Sequence, residues 1–174
     1  RAWREGNKWV LKGTKQFITS ASQADVAIVF AVTDPEKGRK GISAFIVPTD
    51  LPGYVVGPPE HKLGQRASET CQVRLENLEL TPDLMLGEPG EGYRIALANL
   101  EGGRIGIAAQ AVGMARAAYE HACAYARERE SFGRKIIEHQ AVGFRLADMA
   151  TKLKAAELMT LHAAALRDAG EPCL

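Results

Sequence analysis

The 174-residue chain is poor in cysteine: only Cys71, Cys123 and Cys173 are present. They are odd in number, widely spaced, and form no Cys-x-x-Cys pair. This argues against a disulfide framework or a zinc site and for a reducing compartment. The four histidines, His61, His121, His139 and His162, show no ligand spacing either, so no metal is expected. An excess of charge of one sign is also missing. Lys plus Arg number 22 against 21 Asp plus Glu, a net charge of +1. That balance gives no electrostatic case for nucleic acid or an anionic membrane. The longest strongly apolar run, Val26 to Val32, is far too short to span a bilayer. No secretory or transit segment is visible. What remains, 46% hydrophobic and 25% charged, is an ordinary globular composition for one large domain or two small ones. The chain opens on Arg1 rather than methionine and stops at Cys173-Leu174, just past an expected helix end. A fragment of something longer is therefore expected.

Two periodicities divide the sequence. Up to about Leu80 it reads as short strands. "RAWREGNKWVLKG" is two runs joined by Gly6-Asn7, a two-residue hairpin signal. "TKQFITS" reads as a further strand. "DVAIVFAV" and "GISAFIVP" are apolar, β-branched, and expected to be buried on both faces. "GYVVGPP" is a short strand stopped by Pro58-Pro59. "CQVRLENLEL" alternates, with an irregularity expected near Glu76-Asn77. From Gly92 the period becomes helical. Ile105, Ala108, Val112, Ala115, Tyr119, Ala122 and Ala126 form one apolar stripe, on a helix running to about Arg129. Gly133 breaks it. A second helix, from about Glu138 to Ala169, carries Val142, Leu146, Met149, Leu153 and Ala156 on one face. The fold class is α+β in more than one domain: a small antiparallel β-barrel or sandwich, then two long helices of an incomplete bundle. The divisions are 1–82 for the β-domain, 83–91 for a linker, and 92–174 for the helices.

One feature of the first helix is costly. Gly102 and Gly103 are adjacent, between Glu101 and Arg104. Each interior glycine costs a helix about 1 kcal/mol relative to alanine. Close backbone approach is one reason to keep them. Absence of a bulkier residue used elsewhere is another. "GEPGEG" (Gly87 to Gly92) is not a phosphate loop, since no Gly-Lys-Ser/Thr follows. "GGRIG" lacks the βαβ context of a dinucleotide fingerprint.

Five ordered stretches together resemble the acyl-CoA dehydrogenases, nearest to their short-chain, butyryl-CoA-like branch. They are "WVLKGTKQFITSA", "KGISAFIVP", "KLGQRASET", "LGEPGEGYRIALANLEGGRIGIAAQAVG" and "ARERESFGRKIIEHQAVGFRLADMA". The resemblance implies a middle β-domain followed by part of a C-terminal helical bundle. It implies FAD as cofactor, an acyl-CoA substrate, an electron-transfer flavoprotein as electron acceptor, and a homotetramer in bacterial cytoplasm or mitochondrial matrix. It implies no membrane or nucleic-acid partner.

The same resemblance assigns residues. Phe17, Ile18 and Thr19 meet the flavin ring, with the Thr19 hydroxyl at its edge and Phe17 in place of a common tryptophan. Arg129, Ser131, Phe132, His139 and Gln140 reach the FAD of a neighbouring subunit. Glu101, Gly103 and Arg104 contact the acyl-CoA. No catalytic base falls within the chain. Where some branches carry a glutamate, immediately before the helix arginine, this sequence has Gly103. Glu101 is turned about 200° away around the helix. The base is therefore expected beyond Leu174. Structural alternatives stand beside each assignment: a strand-end Thr and a core Phe, a solvated helix face with a turn Phe, an i, i+3 ion pair between Glu101 and Arg104, and close helix packing at Gly102. Arg66 suits a phosphate or a barrel-rim salt bridge equally. Cys71, Cys123, His121 and His162 read as structural or surface residues. An acyl-CoA oxidase-like enzyme and a non-catalytic helical oligomerisation module are the rival functions.

Overall fold

The structure is a computed structural model that describes residues 1–173. It consists of two compact units, Arg1–Leu97 and Ala98–Leu174.

In the first unit, β1 (Ala2–Glu5) and β2 (Lys8–Thr19) form the hairpin expected at Gly6-Asn7, with Gly6 at φ +58. Strands β3 (Val26–Val32) and β4 (Ile42–Pro48) follow, joined through a 3-10 segment. Then come β5 (Tyr54–Pro59), β6 (Thr70–Leu80) and the short β7 (Met85–Leu86). All pairings are antiparallel. One sheet has the order β1-β2-β6-β5 and the other β3-β4-β7. Their inner faces make one core of Trp9, Leu11, Val29, Phe45, Val47, Val73, Leu75 and Leu78, among others. Trp9 meets Phe45 edge-on across it, with ring centroids 5.5 Å apart. The arrangement is a sandwich.

Three strand expectations need correction. "TKQFITS" is not a separate strand: β2 runs unbroken for 12 residues, and its irregularities are register shifts against β6 rather than ends. β3 is buried on one face only. Val29 and Ala31 point into the core, whereas Val26 and Ile28 are about half exposed. An apolar run reveals hydrophobicity, not which faces are covered. β3 is also an outer strand of its sheet, and Lys15 reaches it from β2, donating through Nζ to the Phe30 carbonyl at 2.6 Å. Such an inward-pointing charge blunts an exposed edge. Burial lowers the Lys15 amine below its ordinary value. Finally, β5 extends through Pro58 and Pro59, which an edge strand tolerates because no partner needs their N–H.

The glycine-rich linker has a mechanical role. The Gly90 N–H donates to the buried Ser43 hydroxyl at 3.0 Å, and that hydroxyl shares a 2.7 Å hydrogen bond with Thr33. Gly90 takes φ +91, and a Cβ there would sit 2.3 Å from the Lys40 carbonyl oxygen. The segment is threaded against β4 by backbone contact, which fixes where the first helix starts.

That helix, α1 (Gly92–Glu128), is 37 residues long, and α2 (Gln140–Asp168) is 29. Gly170 at φ +74 ends α2, with the Glu171 N–H bonded back to the Leu166 carbonyl. Within the second unit the two apolar stripes face each other, with an Arg116–Glu157 ion pair alongside. Between them lies an open groove of about 630 Å³, lined by Ala108, Val112, Ala115, Tyr119, Met149 and Leu153 among others. Among the described residues of the pair only Cys123 and Ala126 are buried apolar side chains. Two helices alone leave their faces largely uncovered, as the pattern implied.

Leu78 is fully buried opposite Leu11. Leu78→Ala is expected to lower the unfolding free energy of the β-unit by about 3 kcal/mol. Urea denaturation followed by tryptophan fluorescence measures this; a loss below about 1 kcal/mol contradicts the packing described.

Candidate functional site

On the β-unit the candidate surface is the end of β2. Lys15 pairs with Val73 and Ile18 with Cys71, so two residues of β2, Gln16 and Phe17, oppose the single Gln72 of β6. This is a β-bulge. Phe17 adopts φ +59, rare for a residue with a side chain. Strict alternation would put both Lys15 and Phe17 on the inner face. The bulge instead leaves Phe17 70% exposed, with Ile18 packed on the core and Thr19 exposed beside it. The core-Phe alternative is thereby excluded. Gln72 donates to Gln16 at 2.8 Å and Gln16 donates to Glu60 at 2.5 Å, bracing the bulge from the side of β5.

Past Thr19 the chain turns sharply at Ser20, also left-handed at φ +55. The Ser20 N–H donates to the Glu69 carbonyl at 3.1 Å. The Glu69 carboxylate accepts the Ser22 N–H at 3.1 Å and the Ser22 hydroxyl at 2.6 Å. The Ser22 hydroxyl, then its amide, hold the Glu69 carboxyl below its ordinary value. Burial, with Glu69 alongside, pushes the Cys71 thiol up, so it is kept as an unreactive thiol. Among the described residues Arg66 makes no rim salt bridge: its Nε donates to the Lys62 carbonyl at 3.1 Å.

On the helical unit, the segment between α1 and α2 is not a simple bend at Gly133. It is a hairpin of β8 (Glu130–Ser131) and β9 (Arg134–Lys135). Its two turn residues, Phe132 at φ +53 and Gly133 at φ +74, have the positive φ values of a tight hairpin turn. The turn thrusts Phe132 out to 96% exposure. His139 precedes the first residue of α2, bonds through Nε2 to the Ser131 carbonyl at 3.1 Å, and sits edge-on to Phe132. Ser131, Phe132 and His139 are thus one cluster, with Arg129 before it and Gln140 after it, both exposed.

Glu101 and Arg104 lie on the early part of α1, and they form no ion pair with each other among the described residues. Their two glycine neighbours differ. A Cβ on Gly102 would come within 2.8 Å of the Arg167 guanidinium, which lies on the α1 backbone there. A Cβ on Gly103 would meet nothing within 4 Å. A small pocket of about 380 Å³ joins Glu101 and Arg167 to Cys173. Along α1, Glu101 and Arg129 are separated by about 40 Å. They cannot serve the same small group.

Among the described residues no cluster of His, Cys, Asp and Glu is fit to hold a metal, and no helix is long and apolar enough to cross a membrane. The Glu69–Ser22 contact was not visible in the sequence, because its partners are 47 residues apart.

Residues 1–78 match the family described as acyl-CoA dehydrogenase, middle domain, and residues 90–173 match acyl-CoA dehydrogenase, C-terminal domain. An acyl-CoA dehydrogenase of Bacillus subtilis (strain 168) is 49% identical over 172 residues, 99% of this chain and 45% of that relative. The mitochondrial short-chain specific acyl-CoA dehydrogenase of Bos taurus is 48% identical over 168 residues, 97% of this chain and 41% of that relative. The structure of butyryl-CoA dehydrogenase from Megasphaera elsdenii superposes with a TM-score of 0.94 at 40% identity, covering 98% of this chain and 45% of that one. The chain spans less than half the length of these relatives.

The Glu69 contact makes a pH-dependent prediction. A carboxyl whose value is lowered on folding stabilises the fold above its unfolded value, and that stabilisation is lost as pH falls through the lowered folded value. Glu69→Gln is expected to reduce the melting temperature at neutral pH, and the difference from the parent chain to shrink away as pH falls through the lowered folded value of the carboxyl. A difference that persists undiminished in acid refutes the assignment.

Proposed function

Because the chain belongs to the acyl-CoA dehydrogenase family, whose middle domain and start of the C-terminal domain it covers, we propose that its polypeptide is an FAD-dependent enzyme. In this reading it desaturates short acyl-CoA thioesters to trans-2-enoyl-CoA and delivers the electrons to an electron-transfer flavoprotein. The observation that carries the reading is the outward turn of Phe17 and Thr19 at the bulge, on either side of the inward Ile18. An exposed flat ring, next to an exposed hydroxyl on a braced strand end, fits the edge of an isoalloxazine. Bound flavin supplies the hydride acceptor, and the protein aims it. Phe17 gives the ring an apolar face, and Thr19 gives its edge a hydrogen-bond partner.

Arg129, Ser131, Phe132, His139 and Gln140 form the second cofactor surface. Arg129 supplies the cation that suits a pyrophosphate. The family resemblance gives these residues to the dinucleotide of a neighbouring subunit in a homotetramer, and the distance of Arg129 along α1 from Glu101 fits two separate sites. Glu101, Gly103 and Arg104 take the acyl-CoA. The α-proton of a thioester is barely acidic, so its removal needs a desolvated carboxylate and a stabilised thioester oxygen. Gly103 supplies no carboxylate, and Glu101 points elsewhere around the helix. The proton acceptor then comes from polypeptide outside these 174 residues, and this chain alone turns over no substrate. Bacterial cytoplasm or the mitochondrial matrix is the setting that suits this chemistry.

The whole polypeptide is expected to purify yellow and to bleach when butyryl-CoA is added without oxygen, with no substrate-dependent oxygen uptake in air. Arg129→Ala is expected to weaken FAD binding about tenfold or more. A colourless protein that takes up no added FAD overturns the reading. Brisk oxygen uptake moves it to an oxidase.

A further inference from the structure

The strand end that carries Phe17 and Thr19 holds an unfavourable backbone in place. Phe17 and Ser20 are both left-handed without being glycine, and they flank Ile18-Thr19 on either side. Such conformations are unfavourable and persist only where their surroundings over-determine them. Two anchors are on the far side of Thr19. Ala21 is buried in the sandwich core. Ser22, two residues beyond Ser20, is exposed; Glu69 holds both its amide and its hydroxyl, and the hydroxyl also accepts from the side chain of its neighbour Gln23 at 3.0 Å. The side-chain oxygens of Glu69 are used one apiece: Oε2 takes the amide and Oε1 the hydroxyl. The Glu69 carbonyl takes the Ser20 amide as well. A carboxylate suits this place because it accepts two donors without offering one. An amide at the same position would present an N–H to one of them.

We propose that Glu69 is a positioning residue for the flavin-facing end of β2: by gripping Ser22 it fixes the direction in which Phe17 and Thr19 project. What those two side chains meet rests on the flavoenzyme reading above; the grip itself does not. Glu69 touches the turn behind Thr19 rather than the exposed faces of Phe17 and Thr19, so it acts through the backbone.

Hydrogen exchange and flavin binding test the two parts separately. In the chain, Glu69→Ala is expected to speed exchange of the Ser20 and Ser22 amides about tenfold. The amides of Leu11, Phe45 and Leu78 keep their protection, which excludes general unfolding. In the whole polypeptide, the same variant is expected to release FAD about fivefold faster. Its bound flavin is expected to lose the fine structure of its visible band, and Glu69→Asp to restore part of both. Unchanged Ser22 exchange in Glu69→Ala overturns the grip. A freed Ser22 amide with parental FAD release and spectrum overturns the positioning role. A parental polypeptide that binds no FAD overturns the flavin reading, and the positioning role with it, through the parent rather than the variant.

Discussion

The pairing of β2 with β6 is the constraint from which the β-unit follows. A strand alternates its faces every residue, so a single slip of register sends every later side chain to the wrong side. This pair slips twice, once in each strand. On β6 the extra residue lies between Leu75 and Leu78, where Asn77 takes φ +52. Without it, continuing inward from Val73 and Leu75 would bury Asn77 and Glu79. With it, Leu78 and Leu80 complete the core. On β2 the extra residue is Phe17, and the effect is reversed: an aromatic is sent out while Ile18 goes in. The first bulge completes the core, and the second breaks the hydrophobic pattern to expose a ring. Expelling an aromatic from an available core forfeits apolar burial. In the flavoenzyme proposed above, the exposed ring serves the cofactor.

The helical unit shows the opposite condition. Its two helices are regular and long, yet nearly all of their apolar side chains stay partly exposed. What is precise in it lies at the ends. At one end the β8–β9 hairpin, closed by His139 on Ser131, aims Phe132 outward. At the other, Arg167 lies on Gly102 of α1. A rigid rod of this length keeps the two ends apart, so whatever they bind they bind separately.

Much of this was legible in the residues themselves. The Gly6-Asn7 turn, the irregularity at Glu76-Asn77, and the helical stripes through Val112 and Leu146 all rest on local rules of spacing and turn chemistry. The failures share a different cause. Phe17 and Phe132 adopt backbone conformations that their side chains do not advertise, because the sheet and the hairpin impose them. The hairpin strands are two residues each, too short for any period. The half-exposure of β3 depends on what else is packed nearby, and Glu69 on a serine far away in sequence. Local propensity is silent on all four. The candidate site was therefore less legible than the fold: its residues were named by resemblance, and the sequence did not reveal the strained backbone that presents them.

The adjacent glycines Gly102 and Gly103 of α1 show two different conditions. Each weakens the helix by a similar amount, but only one is compensated. At Gly102 the lost helix propensity is offset by the Arg167 guanidinium, which occupies the space a side chain would need. At Gly103 no atom of the described residues comes within 4 Å of the place a side chain would take. Gly106 and Gly113 of α1 are just as open, so it is the place of Gly103 beside Glu101 and Arg104 that points to a contact outside the molecule. In the proposed enzyme that contact is the thioester, or the carboxylate that deprotonates it, and either needs the helix surface bare. Gly103 then matters for what it leaves out: a side chain there would compete for the volume in which the reaction takes place.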